Sequence, residues 1–503
     1  MTDRALQLLR RDARLAALAA FPFDFDLTRA DHVEEVRLAS GGPLEPVAGD
    51  DTGGTYFVCA DGSVLYADSE GAAGLIGNSV DEALEILIGL PGRLEYVDLA
   101  PGDGEEHILA RIAETEEEIR ESYGIDAERT ELRTALGLPE RPPVELVTRL
   151  HAALLRTEPD FLLLNAEEGG AYRLLEGHRR PPLWETVLAP GRADLSLLRE
   201  GRSWDEVAHA PARRALALRA AQYDRRDSDL ALLRHLLRHE ADASMTDELR
   251  LAAVLVGLHG RTEDLPLLHE ARETTYDTYC GLGGMPEPGA DGDALRAWAQ
   301  GLDDSLFGTD PSDEPSFTWT DLAQAQGRDE LVRVTLIRAL DEIDLRAFVN
   351  AREGRRPGSS DADELNALAH RFERLGDSCQ ALRAQRLYVA LQGTAQSRVP
   401  ALLKLARLER DSGHLPSAIR ALARLREGLA EPADGPSAHW RGTNLGVFVV
   451  EEHDEVAAAA GADGSLAEEV REVTEAASGL LAELSEAGRA AVRRTRAARS
   501  PAG

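Results

Sequence analysis

The sequence predicts a mainly α protein: a small α+β N-terminal domain with an antiparallel sheet, then an α-helical, solenoid-like repeat body. Three observations carry this. Tyr56-Phe57-Val58-Cys59 and Val64-Leu65-Tyr66 flank Ala60-Asp61-Gly62-Ser63, a strand–turn–strand pattern in which Asp-Gly supplies the positive φ of a tight hairpin. From about residue 194 the apolar residues recur mainly at helical spacing. Arg226-Asp227-Ser228-Asp229-Leu230 also returns 35 residues later as Arg261-Thr262-Glu263-Asp264-Leu265, a period at which helix pairs stack on one another.

Taken in order, Leu6, Leu9, Ala13, Ala16 and Ala20 give an amphipathic helix over residues 3–20, ended by Pro22. Phe21, Phe23 and Phe25 alternate with Pro22, Asp24 and Asp26 and read as extended chain. Val33 to Leu38 is a strand, stopped by Ser40-Gly41-Gly42-Pro43. Leu44 to Val47 follows, and Gly49-Asp50-Asp51-Thr52-Gly53-Gly54 leads into the hairpin. Asn78-Ser79 cap a helix with apolar Val80, Leu84, Leu87 and Ile88, and with Asp81 and Glu82 in the first turn, where the helix dipole favours acid. These elements make an α+β domain over residues 1–105. Residues 106–190 form a helical connecting region: a charged helix that breaks near Tyr123-Gly124, a helix from Val144 to Leu155, and Phe161 to Leu164, which fits a strand or a buried helix.

Residues 194–350 read as HEAT-like repeats, interrupted over 281–316 by a mobile insertion rich in Gly, Pro, Asp and Ser with one short helix around Ala294 to Ala299. Residues 361–430 read as tetratricopeptide-like helix pairs. Gly376 and Gly413 lie 37 apart, as do Ala381 and Ala418, and Phe372 of the first copy is replaced by Glu409 in the second. Residues 431–503 read as a loop, a short strand at Val447 to Val450 and one long helix from Leu466 to Ala497.

Charge narrows the partners. Lys and Arg total 56 against 89 Asp and Glu, a net of −33, and Lys404 is the single lysine. Such a surface repels nucleic acid and anionic lipid and suits a basic protein. No apolar run approaches the length of a membrane span. The three cysteines, Cys59, Cys280 and Cys379, are dispersed, with no Cys-x-x-Cys for a disulfide framework or thiolate zinc site. The charged start lacks the apolar core of a signal peptide, so a cytoplasmic location is expected.

Catalytic constellations are not evident. Gly53-Gly54 follows two acids, lacks a lysine and opens a strand, so it is not a phosphate loop. Asp24 with Asp26, and Asp50 with Asp51, could be read as paired carboxylates, but a working pair needs convergent geometry and one raised pKa, and adjacent loop acids are more often solvated. His235 and His239 stand at i, i+4, a spacing that holds metals on a helix. Leu236, however, occupies the place where a His-Glu-x-x-His motif has Glu, and the repeat aligns His235 with Glu270, a solvent-facing position. No catalytic, cofactor or metal residue is assigned on this reading. The residues that best fit a partner surface are Asp50, Asp51, Tyr56 and Tyr66, aromatics beside acids at the hairpin.

The first hundred residues resemble the SUKH superfamily of bacterial immunity proteins. Gly54-Thr55-Tyr56-Phe57-Val58 matches its glycine-rich approach to an aromatic strand, Gly62 to Tyr66 its second strand, and Ser79 to Leu90 its closing helix. The resemblance implies a non-enzymatic protein that captures and neutralises a toxin domain, with an acidic surface plugging a basic active-site cleft. The alternative reading is a cytoplasmic scaffold or regulator that uses its helical repeats as a platform.

Overall fold

The computed structural model describes residues 4–241, 244–354, 359–430, 440–461 and 463–499. The fold is mainly α, with 23 α-helices among the described residues and, near the N-terminus, a small α+β region containing an antiparallel sheet. The chain divides into two compact units, Met1–Glu176 with Leu336–Gly503, and Gly177–Thr335.

In the first unit, the strands are β1 (Val36–Leu38), β2 (Leu44–Gly49), β3 (Thr55–Cys59), β4 (Val64–Ala67), β5 (Ala72–Gly77), β6 (Leu163–Asn165) and β7 (Arg173–Leu174). Five of them form one sheet in the order β2-β3-β4-β5-β7, antiparallel except for β7, which runs parallel to β5. β1 and β6 pair separately. The β3–β4 hairpin forms at the expected turn. Gly62 has φ +89°, and Asp61 accepts hydrogen bonds from the Ser63 amide and hydroxyl, each at 2.9 Å.

Register sets the two faces. Tyr56 opposes Tyr66, and Phe57 opposes Leu65. Tyr56, Val64 and Tyr66 join a core with Phe25, Leu84, Leu87 and Ile112. Phe57, Cys59, Leu65 and Ala67 face Leu38, Leu163 and Tyr172, which cover the opposite side. Neither face of the hairpin is open.

The helix Val80–Gly89 begins as expected: Ser79 Oγ accepts from the Glu82 amide at 3.1 Å, and Glu82 reaches back to the Asn78 amide. The helix expected over 3–20 is instead two, Arg4–Arg11 and Ala13–Ala20, because Asp12 accepts from the amides of Arg14 and Leu15 and so starts a new helix. Head packing does not stop at residue 105. Helices Glu105–Ser122, Asp126–Leu136 and Pro143–Leu155 supply Ile108, Ile112, Leu132, Leu136, Leu146 and Leu150 to the same core, and β6 and β7 complete the sheets.

The other described residues of this unit are mostly helical. Ser359–Arg374, Ser378–Ala390, Ala395–Asp411 and Leu415–Ala430 follow one another, with Ala381 and Ala418 fully buried. Phe372 is buried, and Glu409, its counterpart 37 residues on, is buried too; Arg386 meets it with two hydrogen bonds of 2.9 Å. Val447 to Val450 is not a strand. It lies inside the helix Asn444–Ala460, where Val449 and Val450 are buried and packing overrides β-branched preference. The long C-terminal helix is two, Ala467–Glu483 and Glu486–Arg499, divided at extended Leu484, with Ser485 Oγ accepting from the Gly488 amide.

In the second unit, the 35-residue offset recurs in side-chain chemistry. Short 3-10 turns, Asp227–Asp229 and Thr262–Asp264, bury Asp229 and Asp264. Arg199 clasps Asp229 at 2.7 and 3.1 Å, and Arg234 clasps Asp264 at 2.5 Å, so both members of the pair shift by 35. The segment expected as a mobile insertion contains a 15-residue helix, Gly292–Leu306. Its Leu295 and Ala299 are buried, and Arg225 grips its Asp303 through two 2.8 Å hydrogen bonds. That part of 281–316 is packed.

Candidate protein-binding face

Asp50, Tyr56 and Tyr66 lie inside the head, not on it: Tyr56 and Tyr66 are 0 % exposed and Asp50 is 4 %. The patch expected from these residues is therefore not at the surface, because strands 100 residues downstream and the flanking helices cover both hairpin faces. Of the four, only Asp51 is exposed.

The buried three form a network around Arg93, which precedes Tyr96 in a 3-10 turn entered through Gly92. The Arg93 guanidinium lies 4.4 Å from the Tyr66 ring centroid and 5.1 Å from that of Tyr56, with Nη2 at 3.8 Å from Asp50 Oδ2. Desolvated stacking of this kind contributes about 2 kcal/mol. Asp50 Oδ2 accepts from Tyr66 Oη at 2.5 Å, while Oδ1 accepts from the Gly54 amide at 2.8 Å and from the Thr52 amide and hydroxyl at 2.9 Å. Gly54 is required here, since a Cβ at that position would collide with Tyr66 Oη and Asp50 Oδ2.

Burial alone would raise the Asp50 pKa. The hydrogen bonds from Tyr66, Gly54 and Thr52, together with the Arg93 charge, outweigh it and hold the carboxylate below its ordinary range. Both tyrosines are raised, first by burial. Cys59 is pushed up to about 12 by burial and the nearby Asp61 charge, which leaves it inert as a nucleophile. The chemistry of this network is that of a fixed, ionised carboxylate that orders the Gly49–Gly54 loop.

Above it lies a different set of residues. Phe21 and Tyr123 meet at the surface with ring centroids 4.8 Å apart and planes tilted by 48°; they are 62 % and 36 % exposed. Asp24 and Asp51 lie near enough to raise the Tyr123 pKa after burial has done so. Asp24 holds a left-handed φ of +56°, an uncommon state for a side chain with a Cβ, and stands half-buried. Its pKa is raised, by burial first and then by Asp51 and Asp50, with Arg93 opposing. An exposed aromatic pair beside acids is thus present, but built from Phe21, Tyr123, Asp24 and Asp51. Sequence alternation over Phe21 to Asp26 hid it, because that pattern puts all three phenylalanines on one face. The turn over residues 21–23 instead leaves Phe21 outside while Phe23 and Phe25 are buried.

Elsewhere, a cleft of about 630 Å³ in the Gly177–Thr335 unit is lined by Arg225, Arg226, His259, Arg261 and Arg296. Arg225, Arg226 and Arg296 are paired with Asp303, Asp224 and Asp293, so its charges are largely balanced. No helix among the described residues is long and apolar enough to cross a membrane. No protein-family model matches the chain, nor does any curated protein or solved structure.

Proposed function

We propose that this is a non-enzymatic protein-binding protein whose head engages a basic partner through the Phe21–Tyr123 face. The observation that carries the reading is the exposed, mutually tilted aromatic pair flanked by Asp24 and Asp51. Aromatic anchors supply contact area at low entropic cost, and flanking acids supply complementarity to a basic surface. The net charge of −33 supports long-range steering of such a partner. In the form the SUKH resemblance implies, the partner is a toxin domain whose basic cleft is plugged and silenced in the cytoplasm. In the scaffold form the same face holds a housekeeping protein.

A photocrosslinking side chain at position 21, introduced into the full chain in its native host, tests this. The expected result is one dominant crosslinked protein with a basic surface, lost when the crosslinker is moved to Leu345, which is equally exposed at 64 %. A captured protein whose binding is unchanged by Phe21→Ala with Tyr123→Ala would overturn the reading. Toxicity of the captured protein, relieved by this chain, would select the immunity form.

A further inference from the structure

The helices Ala395–Asp411 and Asn444–Ala460 pack on each other, and a groove of about 630 Å³ lies along them. Residues three or four apart share a helix face. One wall is therefore the row Leu403, Lys404 and Arg407, and the other is the row Leu445, Phe448, Glu452 and Glu455. Phe448 is 55 % exposed, and Leu403 and Leu445 are half-buried. A cavity of this size, with apolar walls and a few polar groups, suits a short peptide segment.

The charges along the groove do not balance. Lys404 and Arg407 share one acid, Glu373. Arg410 is held by Asp411 at 2.9 Å and by Glu452 Oε2 at 3.1 Å. Glu451 and Glu455 line the groove as well, with Glu455 4.0 Å from the same Arg410. Glu373, Asp411, Glu451, Glu452 and Glu455 thus outnumber Lys404, Arg407 and Arg410. His370 has its pKa lowered, by burial first and then by Lys404, and adds no charge at neutral pH. Glu452 is the buried member of the acid row. It is 8 % exposed, and its Oε1 has no hydrogen bond. A buried carboxylate oxygen without a donor is costly. Arg410 does not offset that burial, which pushes the Glu452 pKa up to about 7. A second cation beside Arg410 would match the surplus.

We propose that this groove docks a segment of a partner protein that presents an arginine next to an apolar side chain, the guanidinium seated against Glu451, Glu452 and Glu455 and the apolar side chain on Phe448, Leu403 and Leu445. Charge complementarity decides the occupant, because an acidic or neutral segment leaves the acid surplus unmatched. Arginine fits better than lysine: its planar fork serves more than one carboxylate, and it sheds water more readily. The groove shares no residue with the Phe21–Tyr123 face.

Short capped peptides, carrying one leucine and one arginine at every separation in a glycine–serine background, test this when arrayed and probed with the full chain. Fluorescence anisotropy then gives the affinity of the best one. Saturable binding is expected, about tenfold weaker with lysine in place of arginine and lost with glutamine. Glu452→Gln and Phe448→Ala should each weaken it about tenfold or more. Neither is a folding lesion, since burial already favours the neutral form of Glu452 and Phe448 lies at the surface. Phe21→Ala with Tyr123→Ala should leave the affinity unchanged; a loss there would put the peptide on the head and overturn the proposal. Absence of saturable binding at millimolar peptide overturns it too. So does unchanged affinity in Glu452→Gln or in Phe448→Ala, or a preference for glutamate over arginine, which would put the ligand on Lys404 and Arg407 instead.

Discussion

Replacing Asp50 with Ala should release the head's hairpin. The carboxylate accepts four hydrogen bonds, from Tyr66 Oη, the Gly54 amide, and the Thr52 amide and hydroxyl. It is also the acid in ion-pair contact with Arg93, whose side chain is 4 % exposed. Leaving a buried charge without its partner costs about 3–5 kcal/mol. The orphaned Tyr66 hydroxyl and Gly54 amide would add about 1–3 kcal/mol each if independent. The terms share one site, so a total of about 4–6 kcal/mol is expected. Hydrogen exchange read on peptides covering Thr55–Ala67 is the assay, since it reports local opening in a chain of two units. Exchange there should accelerate by about a thousandfold to ten-thousandfold, at a factor of ten per 1.4 kcal/mol. Tyr66→Phe, which removes one bond, should cost about 1–2 kcal/mol. The sign with pH also follows. The native Asp50 pKa is depressed, so its contribution is present above the ordinary carboxylate pKa and fades as pH falls through the native value. The gap between wild type and Asp50→Asn should therefore close in strong acid. A change in exchange below tenfold for Asp50→Ala would refute the network as the hairpin's anchor.

Three further outcomes are expected. A thiol reagent should modify Cys280 and Cys379 in the native chain and leave Cys59, with its pKa near 12, untouched until unfolding; rapid reaction of all three would contradict this. Glu452 is buried and its pKa is pushed up to about 7, chiefly by burial with Arg410 opposing. Folding therefore favours its protonated form, stability should decline as pH rises through 7, and Glu452→Gln should flatten that decline by about 2–3 kcal/mol in urea melts at pH 8 against pH 5. Asp229→Ala and Asp264→Ala should each destabilise the Gly177–Thr335 unit by about 1–3 kcal/mol, because each removes the buried acid of an arginine clasp and leaves Arg199 to Asp224 and Arg234 to Glu263; a loss in one and none in the other would show that the two clasps are not equivalent.

Local signals were legible in the sequence. The Asp-Gly turn, the Ser79 cap and the helical period after residue 194 each rest on neighbours a few residues apart, and each formed. The 35-residue offset was legible in Asp229 and Asp264, but not the reason for it, since Arg199 and Arg234 sit 30 residues before their partners. Long-range cover was not legible. β6 and β7 are three and two residues long, too short for a period, yet they help close the head that makes Tyr56 and Tyr66 core residues. Arg93 has no pattern around it, and only the fold sets it between two tyrosine rings. The aromatics and acids of the hairpin lie inside the head for the same reason, whereas the exposed pair Phe21 and Tyr123 meets across a hundred residues.

The proposed interface on the head is electrostatically steered and anchored by aromatic rings. Its most direct test is the association rate of the partner captured at position 21, measured by stopped flow at low and high salt for wild type, Asp24→Asn with Asp51→Asn, and Phe21→Ala with Tyr123→Ala. The rate should fall about tenfold or more between low and physiological salt, depend less on salt without the two acids, and be followed by faster dissociation without the two rings. A rate indifferent to salt, with dissociation unchanged when both rings are removed, would contradict it.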